Sequence, residues 1–164
     1  MQYFVDQNSV VRKIWGKSDT VLFIFAGAAA EFALNKAVDW LYYTGKLPSD
    51  PLGRLFSTVL YAHKIVFSPT DEAHKALEGL RHIHGALEQS RGYAIPDWAY
   101  RDVLFMLIHY SIASYELLEN KLSDAEKEEV YNVFFRLGTG MGLKSLPATY
   151  TEWLPVRKAH LMED

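Results

Sequence analysis

From Pro96 to Asn120 the chain reads PDWAYRDVLFMLIHYSIASYELLEN, and its central part carries no polar face wide enough to meet water. An amphipathic helix needs one dry stripe, but a helix that is apolar nearly all round needs neighbours on every side. This segment is therefore expected to be the buried central helix of a domain, with other helices wrapped around it.

The rest of the sequence supplies those helices. A first long one is expected from about Ser18 to Tyr43, ending at the Gly- and Pro-containing TGKLPSDP. Asp50 can cap the next, with Pro51 at the first helical position, where a missing N–H costs nothing. That helix should run to about Phe67. Thr70 is expected to cap a third, which carries Asp71 and Glu72 in its positively polarised first turn and ends near SRGYAIP. Ser123 and Glu126 have capping-box spacing, and Thr149 and Glu152 repeat it for a last, short helix. The acidic run SDAEKEE is read as a solvated helix start. Strand signals are nearly absent, and no repeat or linker divides the chain. The expected fold is all-α: one domain over residues 1–164, a compact bundle of about six or seven helices around a buried central helix.

Composition narrows what such a bundle does. Of 164 residues, 49% are hydrophobic and 14% aromatic, which favours a large core or an apolar ligand cavity. A net charge of −3 with scattered basic residues argues against a nucleic-acid surface. The absence of cysteine removes disulfides, iron–sulfur clusters, thiolate-ligated haem and cysteine zinc sites. The start lacks a basic segment followed by an apolar signal core. The most apolar run, TVLFIFAGAAAEFAL, is interrupted by Glu31 and falls short of the ~20 residues a membrane span needs. A cytoplasmic protein without a membrane span is expected.

The stretch GLRHIHGALE holds His82 and His84. At about 100° per residue the two lie about 200° apart around a helix, so they cannot chelate one ion together. His84 flanks the apolar stripe of Ala76, Leu77, Leu80, Ile83 and Leu87, with Arg81 and Glu88 within one turn; His82 points to the polar side. An inward histidine of this kind is either a hydrogen-bonded core residue or a single axial ligand to a haem iron. His109, in the central helix, is a second inward candidate. His63, His74 and His160 offer no constellation. On the helix of DPLGRLFSTVLYAHKIVF, Arg54, Thr58 and Tyr61 form one polar line. Its arginine suits a cofactor propionate, an oxygen species or a carboxylate, or else an acid at the bundle's edge. No P-loop, dinucleotide-binding fingerprint, zinc-protease or nucleophile-elbow motif occurs.

With these residues placed, the chain resembles the superfamily of rubber oxygenases (latex clearing proteins) and the fungal oxygenase that cleaves a prenyl side chain. The resemblance rests on DPLGRLFST, RHIH, FMLIHYSIASYE and LSDAEKEEVYNVF in that order, and covers about residues 8–162. It implies haem b, with His84 as the iron's proximal ligand and Arg81 as the arginine that precedes it. Arg54 and Thr58 match the polar residues near the distal face. The implied activity is oxygenation of an apolar, unsaturated or isoprenoid small molecule by dioxygen. The alternatives are a haem-binding sensor, carrier or accessory protein, and a haem-free relative that binds an apolar ligand. Where rubber oxygenases have a lysine this chain has Ser57, and where many members have a histidine–proline pair it has Asn35-Lys36. Asp39 and Glu31 are the candidates for a catalytic base. Typical members continue past the last segment, so the pocket is expected to be more open here, or completed by a second copy of the chain in a homo-oligomer.

Overall fold

A computed structural model describes residues 2–43 and 50–163, apart from the side chains of Trp40, Leu41, Tyr42, Pro51, Leu52 and Arg54. The helices are α1 (Val10–Trp15), α2 (Ser18–Phe32), α3 (Val38–Tyr43), α4 (Pro51–Phe67), α5 (Thr70–Arg91), α6 (Asp97–Leu118), α7 (Asp124–Gly140) and α8 (Tyr150–Glu163). Among the described residues the only extended pairing is an isolated bridge between Tyr3 and Pro69. The protein is an all-α bundle.

The expected central helix is α6. It buries Leu104, Phe105, Met106, Ile108 and Ile112, and it packs along α2 and against α7. Its approach to α2 is set by Gly27: a Cβ there would lie 2.3 Å from Cδ1 of Tyr110. The Tyr110 ring takes the place a side chain would occupy, and Ala28, Ala29 and Ala30 keep the neighbouring positions of α2 small. Tyr110 beside Gly27 and Asp102 bonded to Asn35 show that the two helices run antiparallel.

The first long helix is not continuous. α2 ends at Phe32 and the chain turns before α3, because Asn35 competes for the backbone: its Oδ1 accepts the Ala37 N–H at 2.8 Å. Its amide also donates to Asp102 Oδ2 at 2.9 Å, an interhelical contact that no local pattern announces. α1, absent from the sequence expectation, is one and a half turns long and begins where Ser9 Oγ accepts the Val11 N–H. Thr70 does not cap α5. Its hydroxyl and its N–H both donate to the Gln2 carbonyl, tying down the N-terminal segment instead.

Other termini follow the expectation. Asp50 Oδ1 accepts the Gly53 N–H, with Pro51 in the first turn, and Ser123 and Glu126 form a reciprocal capping box. At α8, Thr149 accepts the Glu152 N–H, while the Glu152 carboxylate reaches back to the Ala148 N–H. The acidic run does more than start α7. Glu128 accepts the Tyr150 N–H and Glu129 the Val10 N–H, so it staples two other helices to α7. α5 ends at Gly92, whose φ of 83° is the left-handed conformation that glycine adopts without strain.

Candidate functional site

α4 and α5 are joined by a tight connection and pack against each other, with Tyr61 beside Gly79. Arg54, Phe56 and Thr58 lie on the half of α4, and His84 on the half of α5, away from the loop that joins the two helices. The hairpin thus carries three of the residues singled out from the sequence to one end. The Arg54 side chain lies outside the described residues; Thr58 is exposed. Phe56 and Leu60 are each 63% exposed and Ile83 47%. Ile83 was expected to join the buried stripe of α5, and it does not. Ala76 and Leu77 are buried, but the stripe opens to solvent towards the end of the hairpin that bears His84.

His84 is half-buried, with its Nδ1 atom inside, whereas His82 is exposed. Beside His84 is a depression of about 270 Å³ lined by residues that include Arg81, Gly85, Glu88, Tyr100 and Leu143. Arg81 is at its exposed lip. The Tyr100 ring meets the imidazole edge-on, with centroids 5.2 Å apart and planes at 62°. Glu88, one turn beyond His84 on α5, accepts the Ile95 N–H at 2.8 Å and the Tyr100 hydroxyl at 3.3 Å. Burial, and then the Glu88 charge, push the Tyr100 phenol well above its ordinary pKa, so it stays a donor. Neither Tyr100 nor its contact with His84 is legible in the sequence, because it joins two helices across the loop 92–96.

His109 stands in different surroundings. Its ring lies edge-on to Tyr110, 4.9 Å between centroids, in a group with Glu31 and Arg157. It opens to solvent, yet desolvation by its neighbours lowers its pKa, the Arg157 charge lowers it further, and Glu31 opposes both. Arg157 is buried and its Nη2 lies 2.5 Å from Glu31 Oε2. The Tyr110 phenol is raised by burial, then by the Glu31 charge and their hydrogen bond. Both candidate bases are therefore engaged: Glu31 by Arg157 and Tyr110, and Asp39 by an ion pair with Arg91.

A third group was missed altogether. Asp102 is buried, accepts from Asn35, and lies 2.5 Å from His160 Nδ1. His160 thus has a partner where the sequence offered none. The signal was present: Asp102 is the one acidic residue within the apolar body of α6, and a buried carboxylate has to be paired. With Arg157, it fastens one face of α8 to α2 and α6.

Among the described residues no three histidine, aspartate or glutamate side chains converge as a metal cage. Nor is any helix of the described residues long and apolar enough to cross a membrane.

A family model described as ER-bound oxygenase mpaB/B′/rubber oxygenase, catalytic domain, matches residues 13–154. The chain belongs to this oxygenase family. The match spans the α4–α5 hairpin, the whole of α6 and α7, and the start of α8. No curated protein and no solved structure matches the chain.

Proposed function

We propose that this member of the rubber-oxygenase family is a haem-b-dependent oxygenase with His84 as the iron's proximal ligand. The observation that supports the reading is the α4–α5 hairpin, which carries a half-buried imidazole to the same end as Arg54 and Thr58. A lone histidine holds a metal only when another group fills the remaining coordination sites, and a porphyrin is such a group. The donor set therefore fits. The depression beside His84 is below the ~300–1,000 Å³ of typical ligand pockets, so it accommodates an edge of a tetrapyrrole at most. Phe56, Leu60 and Ile83 offer apolar surface at the same end of the hairpin, of the kind a flat hydrophobic ligand covers.

When bound, haem supplies the redox chemistry by which dioxygen attacks an unsaturated bond. The chain's own part is electrostatic and positional. His84 holds the iron, and Arg81 at the lip suits a propionate. Arg54 would contribute a positive charge, and Thr58 a hydroxyl, towards negative charge on the reacting oxygen. The substrate class in this reading is an apolar, unsaturated small molecule.

Titration of the apo-protein with hemin tests the assignment. A Soret band that is lost or shifted in His84→Ala is expected. No band with the wild-type chain refutes haem binding, and an unchanged spectrum in His84→Ala moves the ligand elsewhere, His109 being the next to test. With haem bound, Arg54→Ala is expected to slow oxygen consumption on an unsaturated substrate while leaving the spectrum in place.

A further inference from the structure

The torsion that sets a histidine's ring plane is soft, with broad minima rather than sharp ones. The plane of the His84 imidazole is therefore decided by what touches it. The structure shows a closed circuit of contacts around it. α5 carries His84 and, one turn later, Glu88. The chain reverses through Gly92, and Glu88 accepts the Ile95 N–H, which fixes the loop that leads into α6. The same carboxylate oxygen accepts the Tyr100 hydroxyl, and the Tyr100 ring returns to the edge of His84.

We propose that Glu88 and Tyr100 are positioning residues that hold the His84 ring in one plane, so that it meets its ligand preorganised. The proposal rests on the reading of His84 as a metal ligand. Glu88 acts at a distance: its carboxylate never reaches the imidazole but sets where the Tyr100 ring lies. One oxygen serves both the loop and the phenol, so moving either disturbs the other. Groups that orient metal-bound histidines typically affect affinity 10–100-fold when removed.

Two readouts test this, on Tyr100→Leu, Glu88→Ala and the conservative Tyr100→Phe. In the haem-free protein, the His84 Cε1–H NMR resonance is expected to broaden in the first two variants as the ring samples more planes, a change that loss of the Tyr100 ring current alone would not produce. Tyr100→Phe, which keeps the ring and the Glu88–Ile95 bond but loses the hydroxyl tie, should fall between wild type and these two. Hemin titration should show about tenfold weaker binding for Tyr100→Leu and Glu88→Ala, with an intermediate loss in Tyr100→Phe. A wild-type line width for that resonance, or wild-type hemin affinity, in both Tyr100→Leu and Glu88→Ala overturns the proposal. Should Tyr100→Leu fail to fold, Glu88→Ala decides alone. If hemin does not bind the wild-type chain, the functional reading falls, while the NMR comparison still decides whether the clamp exists.

Discussion

Replacing Gly27 with alanine pits helix propensity against packing. In an open helix the change is favourable by about 1 kcal/mol, because glycine loses more backbone freedom on folding. Here the added Cβ would stand 2.3 and 2.4 Å from two ring carbons of Tyr110, against ~3.5–4.0 Å for ordinary carbon contacts. The ring has to move by more than ~1 Å. Forced overpacking of this kind costs about 1–3 kcal/mol. Subtracting the propensity gain leaves a net destabilisation of about 1 kcal/mol. For a chain of this length that lowers Tm by roughly 2–4 °C. Thermal unfolding followed by circular dichroism measures it, and the same substitution in a Tyr110→Ala background supplies the control. With the ring gone, Gly27→Ala is expected to be neutral or to raise Tm. If Gly27→Ala raises Tm with Tyr110 present, the close approach of α2 and α6 is not what holds these helices, and the argument is wrong.

Asp102→Ala removes the one acceptor shared by Asn35 and His160, and breaking such a buried pair is expected to cost about 3–5 kcal/mol in urea unfolding. Asp102→Asn should lose less, and equal losses would show that the carboxylate charge, not the shared acceptor, matters. The lowered pKa of His109 means that the unfolded chain takes up that proton more readily. Stability should therefore fall as pH drops below about 6.5 towards the folded pKa, and His109→Gln should flatten that part of the profile; identical slopes would refute this. Burial raises the Glu116 pKa, but hydrogen bonds from Lys121, Lys127 and the Leu122 N–H outweigh it, and the net shift is downward. Glu116→Gln should thus be destabilising at pH 7, and the difference from wild type should vanish as pH falls through the folded pKa; a difference that persists in acid would count against those contacts.

Local chemistry made much of this protein legible. The Asp50–Pro51 start and the Ser123–Glu126 box are decided within a turn or two of chain and stand as the sequence implied, and α6 is buried or half-buried over most of its length, although His109, expected to face inward, and Val103 are exposed. Periodicity separated His84 from His82, because a helix sends residues two apart to opposite sides. What the sequence could not decide was which side chains meet across helices. Thr70 is a good cap by composition, but the Gln2 carbonyl takes its hydroxyl. Asn35 reads as one residue of a long helix until Asp102, 67 positions away, engages its amide. Ile83 lies on the apolar stripe of α5, yet nothing among the described residues covers it there, so it stays exposed. Tyr100 reaches His84 only because the chain reverses at Gly92 and Glu88 fixes the loop beyond it. The physical division is one of range. Caps and amphipathic faces depend on neighbours a few residues away, whereas the surroundings of a histidine depend on the helix that crosses it.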